Sequence, residues 1–253
     1  MISIDFKRLE VRPGFRVLDI GCGSGRHACA FYARENVWVI GADLSPDDLA
    51  AAGKNLAFHD EVGEVGGGRW DLAAADITRL PFPDGFFDIV VCSEVMEHVP
   101  DEKKAASEIA RVIKPGGQLA ASVPRRWPET ICWRLSDAYH AASGGHIRIY
   151  TQKKISALFK DAGFSKRAVH FAHSLHTPYW WLKCLVGPER KDPALLRLYH
   201  RFLVWDMMKK PALTKALDVF LNPVMGKSVT MYFKKDGDGR RRGSGEKKFQ
   251  TGH

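Results

Sequence analysis

The chain has no run of 18 or more apolar residues, so nothing in it reads as a membrane-spanning helix. Its first eight residues, MISIDFKR, lack the long apolar core of a secretion signal, which sets the expectation of a cytoplasmic protein. Cysteine is sparse. The five copies, at positions 22, 29, 92, 132 and 184, include no Cys-x-x-Cys pair, which argues against a zinc site or a disulfide framework. They read as small buried apolar residues. No internal repeat recurs, which excludes solenoids and propellers. Acidic residues are also short, 29 Asp and Glu against 38 Lys and Arg, for a net charge of +9. The excess is local: seven basic against three acidic residues in 234–253, and nine against four in 178–227. A basic tail of this kind suits solubility or loose contact with polyanions, and no specific nucleic-acid partner is expected.

At 253 residues, the chain is long enough for one well-packed α/β domain with elaborations and too short for two full enzyme domains. From residue 16 onward, apolar runs bounded by turn residues alternate with helix-like segments. Strands are expected at 17–20, 37–42, 71–74, 87–92, 118–123, 166–171 and 228–234. Helices are expected at 25–33, from Pro46, at 102–112 and at 151–162. Ser45 reads as an N-cap followed by Pro46 at the first turn, and Lys114-Pro115-Gly116-Gly117 reads as a stop. Strand–helix alternation predicts right-handed crossovers and a doubly wound, mainly parallel, Rossmann-like α/β sheet of seven strands. A helical insertion, with pieces at 178–186, 193–210 and 212–221, precedes the last strand. Residues 1–235 are expected to form the folded unit, with a ligand-binding half at about 14–123. Residues 236–253 are almost free of apolar side chains and are expected to be a disordered basic tail.

The densest motif is Leu18-Asp19-Ile20-Gly21-Cys22-Gly23-Ser24-Gly25. Glycines let the chain turn sharply out of a strand and approach a ligand closely, and the helix that follows presents unpaired N–H groups. Alone, this pattern is weak. Gly23-x-Gly25-x-x-Ala28, with Asp43 beyond it, also fits a dinucleotide fingerprint, so a nicotinamide-dependent oxidoreductase stays open on this motif.

Three further signatures follow in order: GADLS at 41–45, ADITRLPFPDGFFDIVVCSEVMEHV at 75–99 and IKPGG at 113–117. Together the four resemble the class I S-adenosylmethionine (SAM)-dependent methyltransferases, especially the ubiquinone/menaquinone C-methyltransferase branch, over about residues 15–165. The resemblance implies SAM as co-substrate. It implies Asp43 on the ribose hydroxyls, Leu44 against the adenine, and Asp76 and Ile77 at the adenine edge. Gly21, Cys22 and Gly23 would lie under the methionine portion, Asp19 near its ammonium group and Ser93 near the sulfonium. It also implies methyl transfer to oxygen or carbon of a small acceptor, the other alternative being a SAM-binding regulatory protein that has lost catalysis.

A general base matters for hydroxyl or carbon acceptors, and the candidates are His98, His146 and Tyr150. Glu94-x-x-Glu97-His98 is similar to a cluster that binds Mg²⁺ in some 2′-O-methyltransferases, and its oxygen-rich set suits a hard cation. Comparable strings also occur in relatives without a metal. The first core strand begins about sixteen residues in, so an N-terminal lid is expected to be nearly missing. Cover for the acceptor then falls to 124–150 and 172–226. These segments are rich in aromatics, including Trp133, Trp180, Trp181 and Trp205, and suit a lipophilic or aromatic acceptor. A broadly apolar helix at 193–210 with basic margins also raises the expectation of peripheral contact with the inner membrane surface.

Overall fold

The computed structural model describes residues 2–34, 36–141, 145–187, 193–209 and 211–237. Seven strands form one sheet: β1 (Arg16–Ile20), β2 (Trp38–Asp43), β3 (Arg69–Ala74), β4 (Phe87–Ser93), β5 (Ile113–Pro124), β6 (Phe164–Ala172) and β7 (Ser228–Lys235). Their order is β3-β2-β1-β4-β5-β7-β6, and only β7 runs antiparallel to its neighbours. The expected seven-stranded, mainly parallel sheet is what forms. β1 pairs in parallel with both β2 and β4, so the crossovers diverge on its two sides. At such a switch point the loops leaving the carboxyl ends part and leave a crevice.

The central strands are apolar because helices cover both faces. On one face α3 (Glu102–Val112) and α6 (Gln152–Asp161) bury Ile109, Val112, Ile155 and Phe159 against Val90, Leu119 and Phe233. On the other, α1 (Arg26–Tyr32) and α2 (Pro46–Val62) bury Phe31, Tyr32 and Leu56 with Ile4 and Leu9 of the N-terminal segment. The helix starts have the chemistry their sequences imply. Ser45 Oγ accepts from Asp48 N, Asp101 from Lys104 N and Thr151 from Lys154 N.

Several boundaries differ from the sequence expectation. Residues 113–117 bend within β5, whose register shifts opposite Phe87–Ile89, so the stop signal ends α3 while pairing with β4 has already begun. Two helices lie in the expected lid segment at 124–150: α4 (Arg126–Leu135) and α5 (Asp137–Ala141). In the insertion, α7 (His176–Val186) starts ahead of Pro178, and α8 spans Ala194–Lys209. The last helix, α9 (Ala212–Met225), runs through Pro223 instead of stopping at 221. Of the expected tail, Asp236 is tied to β6: its N–H donates to Gly163 O and its carboxylate accepts from Ser165 Oγ. Residues 238–253 lie outside the described residues.

Candidate active site

Two cavities open at the carboxyl ends of the parallel strands, and Gly21 and His98 line both. The first, about 410 Å³, is lined by Asp43, Leu44, Asp76 and Ile77 among others. The second, about 420 Å³, takes in Cys22, Gly23, Ser93, His146, Trp180 and Lys227. The glycine turn forms the wall between strand and cavity. Gly21 has φ +64, and a Cβ there would collide with Val95. Gly23, at φ +51, has no protein atom within 4 Å of where its Cβ would sit, so its backbone faces open cavity.

Asp43 ends β2 and braces that turn. One oxygen accepts from Gly23 N at 2.8 Å and the other from Ser45 N at 2.9 Å. Asp76, just beyond β3, accepts from Thr78 N at 2.7 Å and Thr78 Oγ1 at 2.9 Å, which hold its carboxyl below the ordinary aspartate range. Leu44 stands 69% exposed on the rim, whereas Ile77 is buried beside it. Asp19 lies beneath the turn and is buried. One oxygen accepts from Ala28 N at 3.1 Å; the other has no hydrogen-bond partner, and burial pushes this carboxyl up to about 7.

The second cavity is closed from below by a serine chain. Ser93 Oγ lies 2.6 Å from Ser3 Oγ and 2.8 Å from Ser122 Oγ, and Ser122 donates to Glu94 Oε1 at 2.9 Å. The N-terminal segment, where a covering lid was expected to be nearly missing, contributes Ser3 to the cavity wall. Glu94 takes a left-handed backbone, φ +56, directly after β4, turning the next residues across the cavity.

Glu97 is fully buried. Neither carboxylate oxygen has a hydrogen-bond partner, and burial, with Glu94 next in effect, pushes its carboxyl well above the ordinary range. His146 stands between two acids. Its Nδ1 lies 2.6 Å from Glu129 Oε1 and its Nε2 4.0 Å from Glu97 Oε1. Burial pushes Glu129 up, but the His146 hydrogen bond and charge, Lys227 and the Trp133 indole outweigh it and leave Glu129 below the ordinary value. An ionised carboxylate only accepts, so His146 Nδ1 must carry the proton. In the neutral imidazole, Nε2 then keeps its lone pair. His98 sits edge-on to His146, ring centroids 4.9 Å apart, with Nδ1 3.2 Å from Gly145 O.

The structure thus brings His98 and His146 together with the residues of the glycine turn. It does not bring in Tyr150. That phenol is buried under α3, bonded to Glu102 and Arg148, and pushed above its ordinary pKa first by burial and then by Glu102. The paired tryptophans of α7 also point inward. Trp180 lines the second cavity under Lys227 Nζ, 4.6 Å from its ring centre, and Trp181 Nε1 donates to Pro128 O. Sequence reasoning missed Glu129, Lys227 and Ser3. None of the three sits in a motif, and each reaches the cavity from a distant segment.

Residues 18–121 match a family model described as a methyltransferase domain. The 27-O-demethylrifamycin SV methyltransferase of Amycolatopsis mediterranei is 37% identical over 173 residues, which are 68% of this chain and 62% of that protein. The ubiquinone/menaquinone biosynthesis C-methyltransferase UbiE of Vibrio vulnificus is 38% identical over 110 residues, 43% of this chain and 40% of that one. The chain spans 40 to 62% of the length of curated relatives such as these. Among solved structures, the [4+2]-cyclase SpnF superposes with a TM-score of 0.60 at 21% identity, covering 92% of this chain and 78% of that one. YcgJ of Bacillus subtilis gives 0.57 at 22%, covering 92% and 97%. These likenesses carry the fold, and the domain match stands against the nicotinamide reading.

Proposed function

We propose that this chain, which carries a class I SAM-dependent methyltransferase domain, transfers the methyl group of SAM to a hydroxyl of a small, lipophilic or aromatic acceptor. S-adenosylhomocysteine is the other product. The observation that carries this reading is the Glu129–His146 pair on the wall of the cavity that Gly23 and Ser93 also line.

In this reading the first cavity takes the adenosine. A carboxylate oxygen has two lone pairs, so Asp43, though already bonded to Gly23 N and Ser45 N, can still accept from both ribose hydroxyls. Leu44 offers an apolar face to the adenine, and Asp76 keeps one oxygen for its amino group. The unpartnered oxygen of Asp19 suits the ammonium of the methionine portion, and the start of α1 suits its carboxylate. The methyl would then face the second cavity. There the acceptor oxygen attacks the methyl carbon, the carbon–sulfur bond breaks, and the hydroxyl proton passes to His146 Nε2. Glu129 holds the ring in place and stabilises the imidazolium. Tyr139 and Trp180 give the cavity an aromatic lining.

A second reading rests on Glu97. Its two unpartnered buried oxygens, with His98 and His146, form a group whose ligand atoms lie within 4.8 Å of one another. Glu94, grouped with them from the sequence, bonds to Ser122 and falls outside that group. The donor set fits a divalent cation, and two imidazoles with one carboxylate favour a borderline metal such as Zn²⁺ or Fe²⁺ over Mg²⁺. A bound cation would act as a Lewis acid on the acceptor oxygen.

One experiment tests both readings: release of S-adenosylhomocysteine across a panel of hydroxylated lipophilic and aromatic compounds, with and without excess EDTA. Under the base reading, turnover survives EDTA, and His146→Gln loses roughly 10²–10⁴-fold in kcat while SAM still binds. Turnover abolished by EDTA and restored by Zn²⁺ or Fe²⁺ would favour the metal. No turnover on any hydroxyl acceptor, despite tight SAM binding, would overturn hydroxyl transfer.

A further inference from the structure

α9 is an amphipathic helix with its polar side turned inward. Thr214, Asp218 and Asn222 recur at every fourth position and face the protein. Thr214 is buried, and Asp218 Oδ1 accepts from Ser174 Oγ at 2.5 Å and from Leu175 N at 3.2 Å. Asn222 Oδ1 accepts from Ser174 N at 3.0 Å. The opposite stripe, Leu213, Leu217, Phe220 and Val224, follows the same helical spacing and faces solvent; Leu213 is 80% exposed and Phe220 78%. Folding normally buries such a stripe, and here polar hydrogen bonds hold the helix while its apolar face stays out. On α8, Trp205 and Met208 are also exposed, in a surface groove shared with Arg201 and Lys209.

We propose that this apolar face rests on the surface of an anionic lipid bilayer, with α9 lying in the headgroup plane. The charges favour that occupant. Arg201 and Lys209 are exposed beside Trp205 and Met208 on α8, residues 178–227 carry nine basic against four acidic side chains, and of the two acids on these helices Asp218 is engaged inward. Basic side chains snorkel toward lipid phosphates while apolar and aromatic ones settle at the acyl boundary. A second copy of the chain is the poorer fit. Two such basic segments would bring like charge against like charge, a repulsion that anionic lipid turns into attraction. At 14 residues α9 is also too short to span a bilayer, and among the described residues no helix is long and apolar enough to cross one.

The position matters for function. α9 pins the Ser174–Leu175 turn, and the preceding residue, His173, lines the second cavity. A bilayer under α9 would therefore lie one turn of chain from the acceptor. Vesicle binding of this kind needs no bound SAM, so it stands whether or not the transfer reading holds.

The test is co-sedimentation of the full chain with vesicles of phosphatidylcholine containing 30% phosphatidylserine, and with pure phosphatidylcholine, at low and high salt. Binding is expected to the anionic vesicles at low salt and to weaken as salt rises. Phe220→Asp should weaken it roughly tenfold or more, because one large apolar side chain no longer leaves water. Phe58→Asp, at an exposed phenylalanine on α2, should leave it unchanged. Phe220→Ser replaces the aspartate variant if that one does not fold. Absence of binding to anionic vesicles overturns the proposal, as does binding that ignores Phe220. A concentration-dependent dimer in solution that Phe220→Asp dissolves would also overturn it, by naming a second copy as the occupant.

Discussion

Asp43 carries two loads. Its carboxylate braces the glycine turn and the start of α2 from one point, so its removal reaches beyond any ligand. Asp43→Ala should weaken SAM binding by tens-fold or more in calorimetry, and it should also lower stability by about 1–3 kcal/mol, because Gly23 N and Ser45 N lose their acceptor. Asp43→Asn should recover at most about half of that stability and little of the affinity, since its single amide oxygen can accept from only one of Gly23 N and Ser45 N while its NH2 group faces the other. Equal SAM affinity in wild type and Asp43→Ala would remove the ribose role. Asp43, Gly21 and Gly23 were legible in the sequence because the strand–turn–helix unit that uses them is local. Glu129 was not. Its place beside His146 depends on α4 folding across the strand ends, and no spacing in the chain records that contact.

At the scale of the element, α9 shows what periodicity can and cannot tell. A 3.6-residue repeat identifies a stripe, but the side of that stripe that faces the protein is set by tertiary partners, here the turn at Ser174–Leu175. Pro223 also reads as a stop. The helix passes through it because a proline leaves the carbonyl four residues earlier, that of Val219, without its partner, and Val219 is exposed to water that can supply one. The inward polar face gives a direct test. Asp218→Ala removes the carboxylate that accepts from Ser174 Oγ and Leu175 N, leaves the buried Ser174 hydroxyl only its longer bond to Asp218 O at 3.3 Å, and should cost about 1–3 kcal/mol. Urea unfolding measures that loss. SAM affinity should not change, since the glycine turn lies elsewhere, whereas the KM for the acceptor should rise as the turn before α7 loosens. A stability change under about 0.3 kcal/mol would mean that the turn is held by other contacts. The mainly parallel, doubly wound character of the sheet was readable, since crossover hand follows from strand–helix alternation, but the order of the strands and the antiparallel insertion of β7 between β5 and β6 were not. The two short helices at 126–141 were not either, since each is only a few turns long and Arg125, ahead of the first, offers no side-chain cap.

For the molecule as a whole, the buried carboxylate at the centre of the sheet ties stability to pH. Asp19 sits on β1, between β2 and β4, and its carboxyl rises from 3.8 to about 7 because burial disfavours the charged form. In the unfolded chain the same group ionises near 4. Between those two values the folded state holds a proton that the unfolded state has released, so stability must fall as pH rises. Below pH 4 both states are protonated, and above about 7 both are ionised; in either range Asp19 adds no slope. A rise from 3.8 to about 7 corresponds to roughly 4 kcal/mol between the two ends of that window. Asp19→Asn cannot ionise, and its amide oxygen can keep the bond from Ala28 N. Urea unfolding of both proteins without SAM, from pH 4 to pH 8, should show a gap that opens as pH rises, favours the variant and becomes constant above about pH 7. Glu94 and Glu97, also raised by burial, are present in both proteins and cancel from the difference. Parallel curves would show that Asp19 is already ionised in the folded sheet, with a cation or water supplying the partner that its second oxygen lacks.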